Sequence, residues 1–235
     1  SGAGKIVWGK DIRKVLTDRE VMPDFDFAGN VNKTELDFIH RKVKDIDIYF
    51  IRNKTDKNVF GTGFFRQQKK QAAYWDPLTG NTSDCQIRVR QPQQTLLPII
   101  LEPNGSVFIV FAPGKTRGNI GTIRRDGKVI FPLYETGDEN IASLERDEKG
   151  FFFSRSGEYE FKESTNMTRT VSIKEDPSRF VIKGPWQVYF PDSLKGPGEI
   201  TFDSLLWWKD SNLDGIRFFS GIATYSKEFI FPDSS

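Results

Sequence analysis

Residues 46–53 read Ile-Asp-Ile-Tyr-Phe-Ile-Arg-Asn, and their pattern indicates the fold class. The apolar residues at positions 46, 48 and 50 alternate with Asp47 and Tyr49, which is the period of two expected of a β-strand. The alternation predicts a strand that ends near Asn53. The whole chain of 235 residues has 21 Phe, 20 Gly and 12 Pro, a composition that favours strands and turns over helices.

Similar segments recur on the C-terminal side of this stretch, at a spacing of roughly ten residues that is typical of sandwiches and barrels. The predicted strands are Asn58 to Arg66, Gln71 to Trp75, Gln86 to Arg90, Leu96 to Glu102, Ser106 to Phe111, Phe151 to Phe153, Tyr159 to Lys162, Thr168 to Ile173 and Phe180 to Ile182. The pattern predicts an all-β fold, a β-sandwich or jelly roll.

Three local features refine this prediction. Val107 to Phe111 is apolar at every position, which indicates a central strand covered on both faces. Pro98 removes a ladder donor, so its strand is predicted to be an edge or to carry a bulge. The sequence Arg125-Asp-Gly-Lys128 indicates a hairpin with a two-residue turn.

The two ends of the chain are predicted to differ from the sandwich. Residues 1–33 are interpreted as a strand-helix remnant and linker: a strand at Lys5 to Val7, a helix capped by Asp11 and ended by Pro23, and a polar linker from Asp24 to Lys33. Residues 34–183 form the predicted sandwich domain. Residues 184–235 restart with strand-like sequence but are too few for an eight-stranded jelly roll, so a second, partial β-sandwich with a last strand at Tyr225 to Phe231 is predicted.

Composition excludes several functions. With 34 Lys and Arg against 32 Asp and Glu, the chain lacks the basic field of a non-specific nucleic-acid binder. The longest apolar run, 107–112, is far shorter than the roughly 20 residues of a membrane helix. One Cys and one His exclude an internal disulfide, a thiolate zinc cluster and a His-based metal cage. We therefore expect no nucleic-acid or membrane partner.

Several linked segments resemble a known family. Four of them are similar to the C-terminal half of α-L-rhamnosidase-type glycoside hydrolases: Ile39-His-Arg41, Asp47-Ile-Tyr-Phe50 with Asn53, Trp75-Asp-Pro-Leu-Thr-Gly80 and Gly105-Ser-Val-Phe-Ile-Val-Phe111. Gly184-Pro-Trp-Gln-Val-Tyr-Phe190 and Ile216 to Tyr225 resemble the opening of the galactose-binding-like jelly roll that ends those enzymes.

The resemblance implies a secreted or periplasmic bacterial protein that acts in polysaccharide degradation. It also implies that the catalytic carboxylates lie on an upstream barrel, so no catalytic residue is assigned in this chain. The chain begins with Ser-Gly rather than Met, and a fragment or a truncated relative is expected. The leading hypothesis is a non-catalytic accessory region whose partners are carbohydrate and the catalytic domain. The alternatives are a stand-alone structural or protein-interaction sandwich, and an active hydrolase.

The candidate carbohydrate contacts are side chains that suit sugar recognition. Flat aromatic faces pack on the C–H side of a pyranose, and planar polar groups hold its hydroxyls. The candidates are His40, Arg41, Trp75, Trp207 and Trp208. For His40 the alternative is that it pins the first strand through a backbone hydrogen bond. For the Trp residues the alternative is that they form core. Adjacent Trp207 and Trp208 point to opposite faces if they lie on a strand, so that one is exposed.

Two further expectations concern ions and assembly. Asp210, Asn212 and Asp214 match the first half of a calcium loop, but Gly221 stands where the loop's closing Glu belongs, so a polar connection is the better interpretation and no cofactor is predicted. An open sheet edge in a partial C-terminal unit predicts pairing with a second copy as a homodimer.

Overall fold

The computed structural model describes residues 4–114, 120–136, 144–147, 150–163, 165, 167–175 and 181–230. Antiparallel strands dominate these residues, which confirms the predicted all-β class. The strands are β1 (Phe25–Gly29), β2 (Leu36–Val43), β3 (Ile46–Asn53), β4 (Val59–Phe65), β5 (Gln71–Trp75), β6 (Thr82–Asp84), β7 (Val89–Arg90), β8 (Thr95–Leu101), β9 (Ser106–Ala112), β10 (Ile120–Arg125), β11 (Lys128–Phe131), β12 (Leu144–Asp147), β13 (Gly150–Phe153), β14 (Gly157–Glu163), β15 (Thr168–Ile173), β16 (Trp186–Phe190), β17 (Gly198–Phe202) and β18 (Thr224–Ser226). The α-helices in the described part are α1 (Ile12–Thr17) and α2 (Asp214–Arg217).

The chain divides into two compact units, residues 1–177 and 178–235. In the first unit a front sheet has the strand order β2-β3-β9-β5-β6, a middle sheet β1-β4-β8-β7 and a back sheet β11-β10-β14-β15. One apolar core fills the space between the front and middle sheets, and a second joins the middle sheet to the back sheet. The result is a β-sandwich with a third layer. The domain boundaries after residues 33 and 183 stay predictions.

The front sheet is built around β9, which is central as its sequence predicts, but the predicted cover on both faces is incomplete because Phe108 on the outer face is only partly buried. β9 lies between β3 and β5, and its Ile109 and Phe111 side chains are fully buried. β8 pairs with β7 only at Thr95 and Leu96, so among the described strands Pro98 has a partner on one side alone, where it faces Thr62. A proline can therefore occupy this position without breaking a ladder bond.

Strand β3 buries the face that carries Asp47, Tyr49 and Asn53. Asp47, Tyr49, Ile51 and Asn53 point into the sandwich, whereas Ile46 on the opposite face is 37% exposed. Polar groups are stable there because they are hydrogen-bonded. The Asn53 amide, for example, donates to the carbonyl oxygens of residues 57 and 102 at 2.7 and 2.8 Å.

β1 lies in the segment that the sequence predicts to be a polar linker, and that prediction is wrong for residues 25–29. Phe25 and Phe27 of this strand enter the front core. At its end Gly29 pairs with Gly61 of β4. A Cβ atom added at either glycine would lie 2.3 Å from a carbonyl oxygen of the opposite strand, and the Phe27 ring covers the pair. Long-range pairing thus overrides a loop-like composition.

Other local predictions are confirmed or corrected. The hairpin at Arg125 to Lys128 is present, and Asp126 and Gly127 have the positive φ angles, 49° and 77°, of a type I′ turn. Asp11 caps α1 by accepting the Lys14 backbone N–H at 3.0 Å. The predicted strand at residues 5–7 is absent, and the one at 86–90 is reduced to β7.

The second unit is a small sheet with its own core. Its described residues form the antiparallel order β17-β16-β18, and Val188, Phe190, Phe202 and Ile216 are buried together. The predicted last strand is shorter than expected, since β18 ends at residue 226; position 231 lies outside the described residues, as does Phe180 of the predicted strand at 180–182. Its galactose-binding-like character stays a prediction.

The described residues contain no helix with the length and apolar character needed to cross a bilayer.

Candidate functional site

His40 lies on β2 directly opposite Tyr49 on β3, and the two rings stack at 4.1 Å with an angle of 8° between them. Both imidazole nitrogens contact carboxylates: Nδ1 lies 2.7 Å from Asp24 Oδ2 and Nε2 lies 2.8 Å from Asp47 Oδ1. An imidazole that donates from both nitrogens satisfies both carboxylates. The single histidine is therefore held between two acidic side chains from different strands or segments.

Further polar side chains complete this arrangement, which we call the His40 cluster. Tyr49 Oη donates to Asp24 at 3.3 Å and accepts from Gln67 at 3.0 Å, Arg66 contacts Asp24 at 3.2 Å, and the Lys70 ammonium contacts Asp47. The cluster comprises Asp24, His40, Asp47, Tyr49, Arg66, Gln67 and Lys70. Both ring nitrogens of His40 contact carboxylates, so His40 is held by the side chains of Asp24 and Asp47 rather than by the expected backbone hydrogen bond. A sugar contact by His40 stays a prediction.

Burial and hydrogen bonding oppose each other at Asp47. Burial acts to raise the pKa of this carboxyl, but the hydrogen bonds from Lys70 and His40 outweigh it, so the pKa of Asp47 lies below its ordinary value of 3.8. At Tyr49 burial dominates and raises the pKa of the phenol. The cluster therefore contains an ionised carboxylate and a neutral phenol at physiological pH.

The lowered pKa of Asp47 predicts acid sensitivity. A carboxyl whose pKa is depressed by folding stabilises the folded chain above its ordinary value of 3.8, and this contribution is lost as the pH falls through the folded-state value. We expect the melting temperature of the wild type to fall more steeply between about pH 5 and about pH 3 than that of Asp47→Asn, which lacks the titrating group. Thermal unfolding across this range measures the difference. Parallel curves would contradict the assignment.

Arg41 and Trp75 lie away from the His40 cluster, on the outer face of the front sheet. Arg41 alternates with His40 along β2 and is exposed. Trp75 is 43% exposed and pairs across the strands with Phe108, whose ring contacts that of Phe50. This outer face also carries Ile39, which is 55% exposed. His40 and Arg41 are therefore adjacent in the chain but lie on opposite faces of the front sheet.

Trp207 and Trp208 have different environments in the second unit. Trp208 packs against Phe190 and Phe219, with ring centroids at 5.4 and 5.7 Å, and its Nε1 donates to Tyr225 Oη at 2.6 Å. Trp207 is 74% exposed, and the Lys209 ammonium lies 5.1 Å from its ring centroid. One tryptophan is thus exposed and the other packed, although this segment is a turn and not a strand.

The polar segment at Asp210 to Asp214 has local structural roles. Asp210 ends a short 3₁₀ turn, and the Asp214 carboxylate accepts from Arg217 within α2. Within the described residues no group of three or more His, Cys, Asp or Glu side chains is placed to hold a metal ion. A calcium ion bound by Asp210, Asn212 and Asp214 stays untested.

Cys85 is buried, and burial raises the pKa of its thiol to about 11. A thiol that remains protonated at neutral pH is a poor nucleophile. This residue therefore behaves as part of the front core rather than as a reactive group.

The sequence singles out His40 but not its partners. Asp24, Gln67 and Lys70 belong to no sequence motif, and only the folding of the chain brings them into the His40 cluster. One signal was available: a tight hairpin between β2 and β3 pairs His40 with Tyr49, which places His40 on the same face as Asp47.

Comparisons with known proteins agree with this fold. A family model described as alpha-L-rhamnosidase, of glycoside hydrolase family 106, matches residues 1–89. A curated protein of Formosa agariphila named "Putative beta-glucuronidase" is 32% identical over 73 residues, which is 31% of this chain and 6% of that protein. The solved structure of a rhamnosidase from Novosphingobium sp. PP1Y matches 93% of this chain at 25% identity with a TM-score of 0.51.

The chain spans only a small part of these relatives, 16% of the solved rhamnosidase and 6% of the curated protein. The sequence match lies in the N-terminal part of the chain, whereas the structural match extends over nearly all of it. The family model, the rhamnosidase structure and the glycoside hydrolase relative together support an alpha-L-rhamnosidase-type region in this chain.

Proposed function

We propose that this chain is a non-catalytic accessory region of a secreted, bacterial α-L-rhamnosidase-like glycoside hydrolase, and that it contacts carbohydrate during polysaccharide degradation. The observation that carries the proposal is the structural match to a rhamnosidase over 93% of this chain but only 16% of that enzyme. A region of this size within a larger enzyme suits a supporting or substrate-contacting role. The catalytic domain is then its partner.

The state of the carboxylates in the His40 cluster supports a non-catalytic role. A glycosidase needs a pair of carboxyl groups of which one is protonated at working pH and acts as general acid. Asp24 and Asp47 are the carboxylates of the His40 cluster, and each is paired with cationic or hydrogen-bonding partners. The pKa of Asp47 is lowered, which is opposite to the shift a general acid requires.

The outer face of the front sheet is the surface we assign to the catalytic domain. It presents Ile39 at 55% exposure and Trp75 at 43%, beside the Phe50 and Phe108 rings. Apolar side chains gathered on one exposed face are typical of contact surfaces. This part of the proposal is tested by reading the coding sequence on both sides of the region: an in-frame barrel domain supports it, and an open reading frame confined to this chain contradicts it.

The carbohydrate contact is assigned to Trp207. Its indole is exposed and has a lysine ammonium near its ring, so a flat apolar face and a hydrogen-bond donor are adjacent. Sugars are bound by this combination of a π-face and polar groups. The adjacent Trp208 anchors this segment to the core of the second unit through its packing on Phe190 and its hydrogen bond to Tyr225.

Trp207→Ala is expected to weaken binding of rhamnose-containing oligosaccharides by about tenfold, because an aromatic platform contributes about 1.5 kcal/mol. Calorimetric titration of the purified chain measures the change. Phe218→Ala is the matched control, since Phe218 is 72% exposed in the same unit and has Arg217 over its ring.

Equal affinities of the two variants would contradict the assignment of Trp207. Absence of saturable binding across a broad glycan panel would favour the alternative, a stand-alone structural or protein-interaction sandwich. Turnover of an aryl α-L-rhamnoside by the isolated chain would overturn the non-catalytic role.

A further inference from the structure

A cleft of about 410 Å³ opens in the first unit beside β1, and none of the candidate sugar contacts named above lines it. Its walls include Met22, Asp26, Lys33, Phe64, Gln94 and Tyr134, and we call it the Tyr134 cleft. This volume falls in the range of small-molecule sites, roughly 300–1,000 Å³. The cleft mixes one exposed aromatic ring with several polar side chains, which is unlike the apolar cores on either side of the middle sheet.

Tyr134 offers an aromatic platform that is exposed and yet held in place. It follows β11, and its side chain is 61% exposed. Gln91 donates to its Oη at 3.3 Å, Gln94 donates to Gln91 at 2.7 Å, and the Phe64 ring lies 6.0 Å away at an angle of 51°. A ring fixed at its hydroxyl and at one edge loses little freedom when a ligand stacks on its open face.

Asp26 supplies an acceptor in the same cleft. Asp26 pairs with Phe64 in the register of β1 and β4, so the two side chains are neighbours on the same face of the sheet. Its carboxylate is 31% exposed and contacts Arg13 and, at 3.3 Å, Lys33. Both cations hold the carboxylate in position, and carboxylate oxygens form stronger hydrogen bonds to hydroxyl groups than neutral acceptors do.

We propose that the Tyr134 cleft is a second carbohydrate site, which binds one neutral pyranose ring of an oligosaccharide. The C–H face of the ring stacks on Tyr134, and its hydroxyls bond to Asp26 and Gln94. A neutral sugar fits because the charged residues that line the cleft, Asp26 and Lys33, have opposite signs. The site shares its ligand class with the proposed function but lies in a different unit from Trp207.

The test is an NMR titration of the ¹⁵N-labelled chain, in which the shifts of the amide signals are measured. Methyl α-L-rhamnopyranoside and, in a parallel titration, methyl β-D-glucopyranoside are each added to about 50 mM, well above a millimolar Kd. Tyr134→Ala is expected to weaken binding at this cleft by about tenfold or more, whereas Tyr134→Phe keeps the ring and stays within about threefold of the wild type. Phe152→Ala, which replaces a half-exposed aromatic residue of the same unit, is the control. Each variant's unfolding curve is recorded to verify that it is folded.

The pattern of losses separates the two proposals. Weakening by Tyr134→Ala together with shifted amide signals of residues that line the cleft supports the second site, whatever the result for Trp207→Ala. Binding that is unchanged in Tyr134→Ala, or amide shifts confined to the second unit, overturns the Tyr134 cleft and leaves the Trp207 assignment standing. No shift with either glycoside also overturns the cleft, and the oligosaccharide titration then decides the proposed function by itself.

Discussion

Gly61→Ala is expected to lower the free energy of unfolding by about 3 kcal/mol or more, at the upper end of overpacking substitutions. The new Cβ atom would lie 2.3 Å from the carbonyl oxygen of Ala28 and 2.6 Å from the Phe27 ring. The carbonyl belongs to a paired backbone and cannot rotate away, so the two strands must separate where β1 joins the middle sheet. Urea denaturation, followed by intrinsic fluorescence, measures the loss.

Gly121→Ala is the matched control for this prediction. Gly121 also lies in a strand, β10, but an added Cβ there meets only a carbonyl oxygen at 3.5 Å, an ordinary contact. We expect this variant to stay within about 0.5 kcal/mol of the wild type. If Gly61→Ala were as stable as Gly121→Ala, the close approach of β1 and β4 would be wrong.

His40→Ala is expected to destabilise the chain by about 2–3 kcal/mol, because it leaves two carboxylates near each other without the ring that separates them. Asp47 is the more affected partner, since its side chain is 5% exposed and keeps only the Lys70 contact. The lost stacking on Tyr49 adds to the effect. Thermal and urea unfolding at neutral pH measure it.

Two further variants separate the causes. His40→Phe preserves a ring that can stack on Tyr49 but removes both hydrogen bonds, so it is expected to be nearly as destabilising as His40→Ala. Arg41→Ala, next in the chain and exposed on the outer face, is expected to change stability by less than about 0.5 kcal/mol. If His40→Ala were as stable as Arg41→Ala, the proposed structural role of the His40 cluster would be wrong.

The strands that the sequence predicts well are those whose signal is local. β3, β5, β9, β15 and β16 are present as expected. Alternation and apolar runs report the environment of each side chain directly. The hairpin turn at Asp126 is equally readable, because positive φ angles at two successive positions select a narrow set of residues.

The errors have a common physical cause. The sequence does not predict β1, because the Asp, Gly and Asn residues in and beside it are depleted in strands. Only its pairing with β4 makes it a strand. The short strands β6 and β17 likewise depend on the neighbours with which they pair. Propensity is a weak signal where a partner strand supplies the hydrogen bonds.

For the sites, the sequence by itself identified residue types, and the tertiary structure decided their positions. The sequence placed the single histidine and the adjacent tryptophans among the candidates, and one of those tryptophans, Trp207, is exposed. The sequence did not indicate Tyr134, which has no motif and lies beside Phe64 only because β4 and the segment after β11 meet.

Local sequence alone therefore indicates the all-β class, most strand positions and the resemblance to α-L-rhamnosidases, because all of these depend on residues close together in the chain. The tertiary structure decided which face of β3 is buried and which polar groups meet. Asp24 is 16 positions from His40, and Lys70 is 23 positions from Asp47. Such contacts form only when strand pairing brings distant segments together, because a buried Asp or His is stable only beside partners that local sequence does not specify.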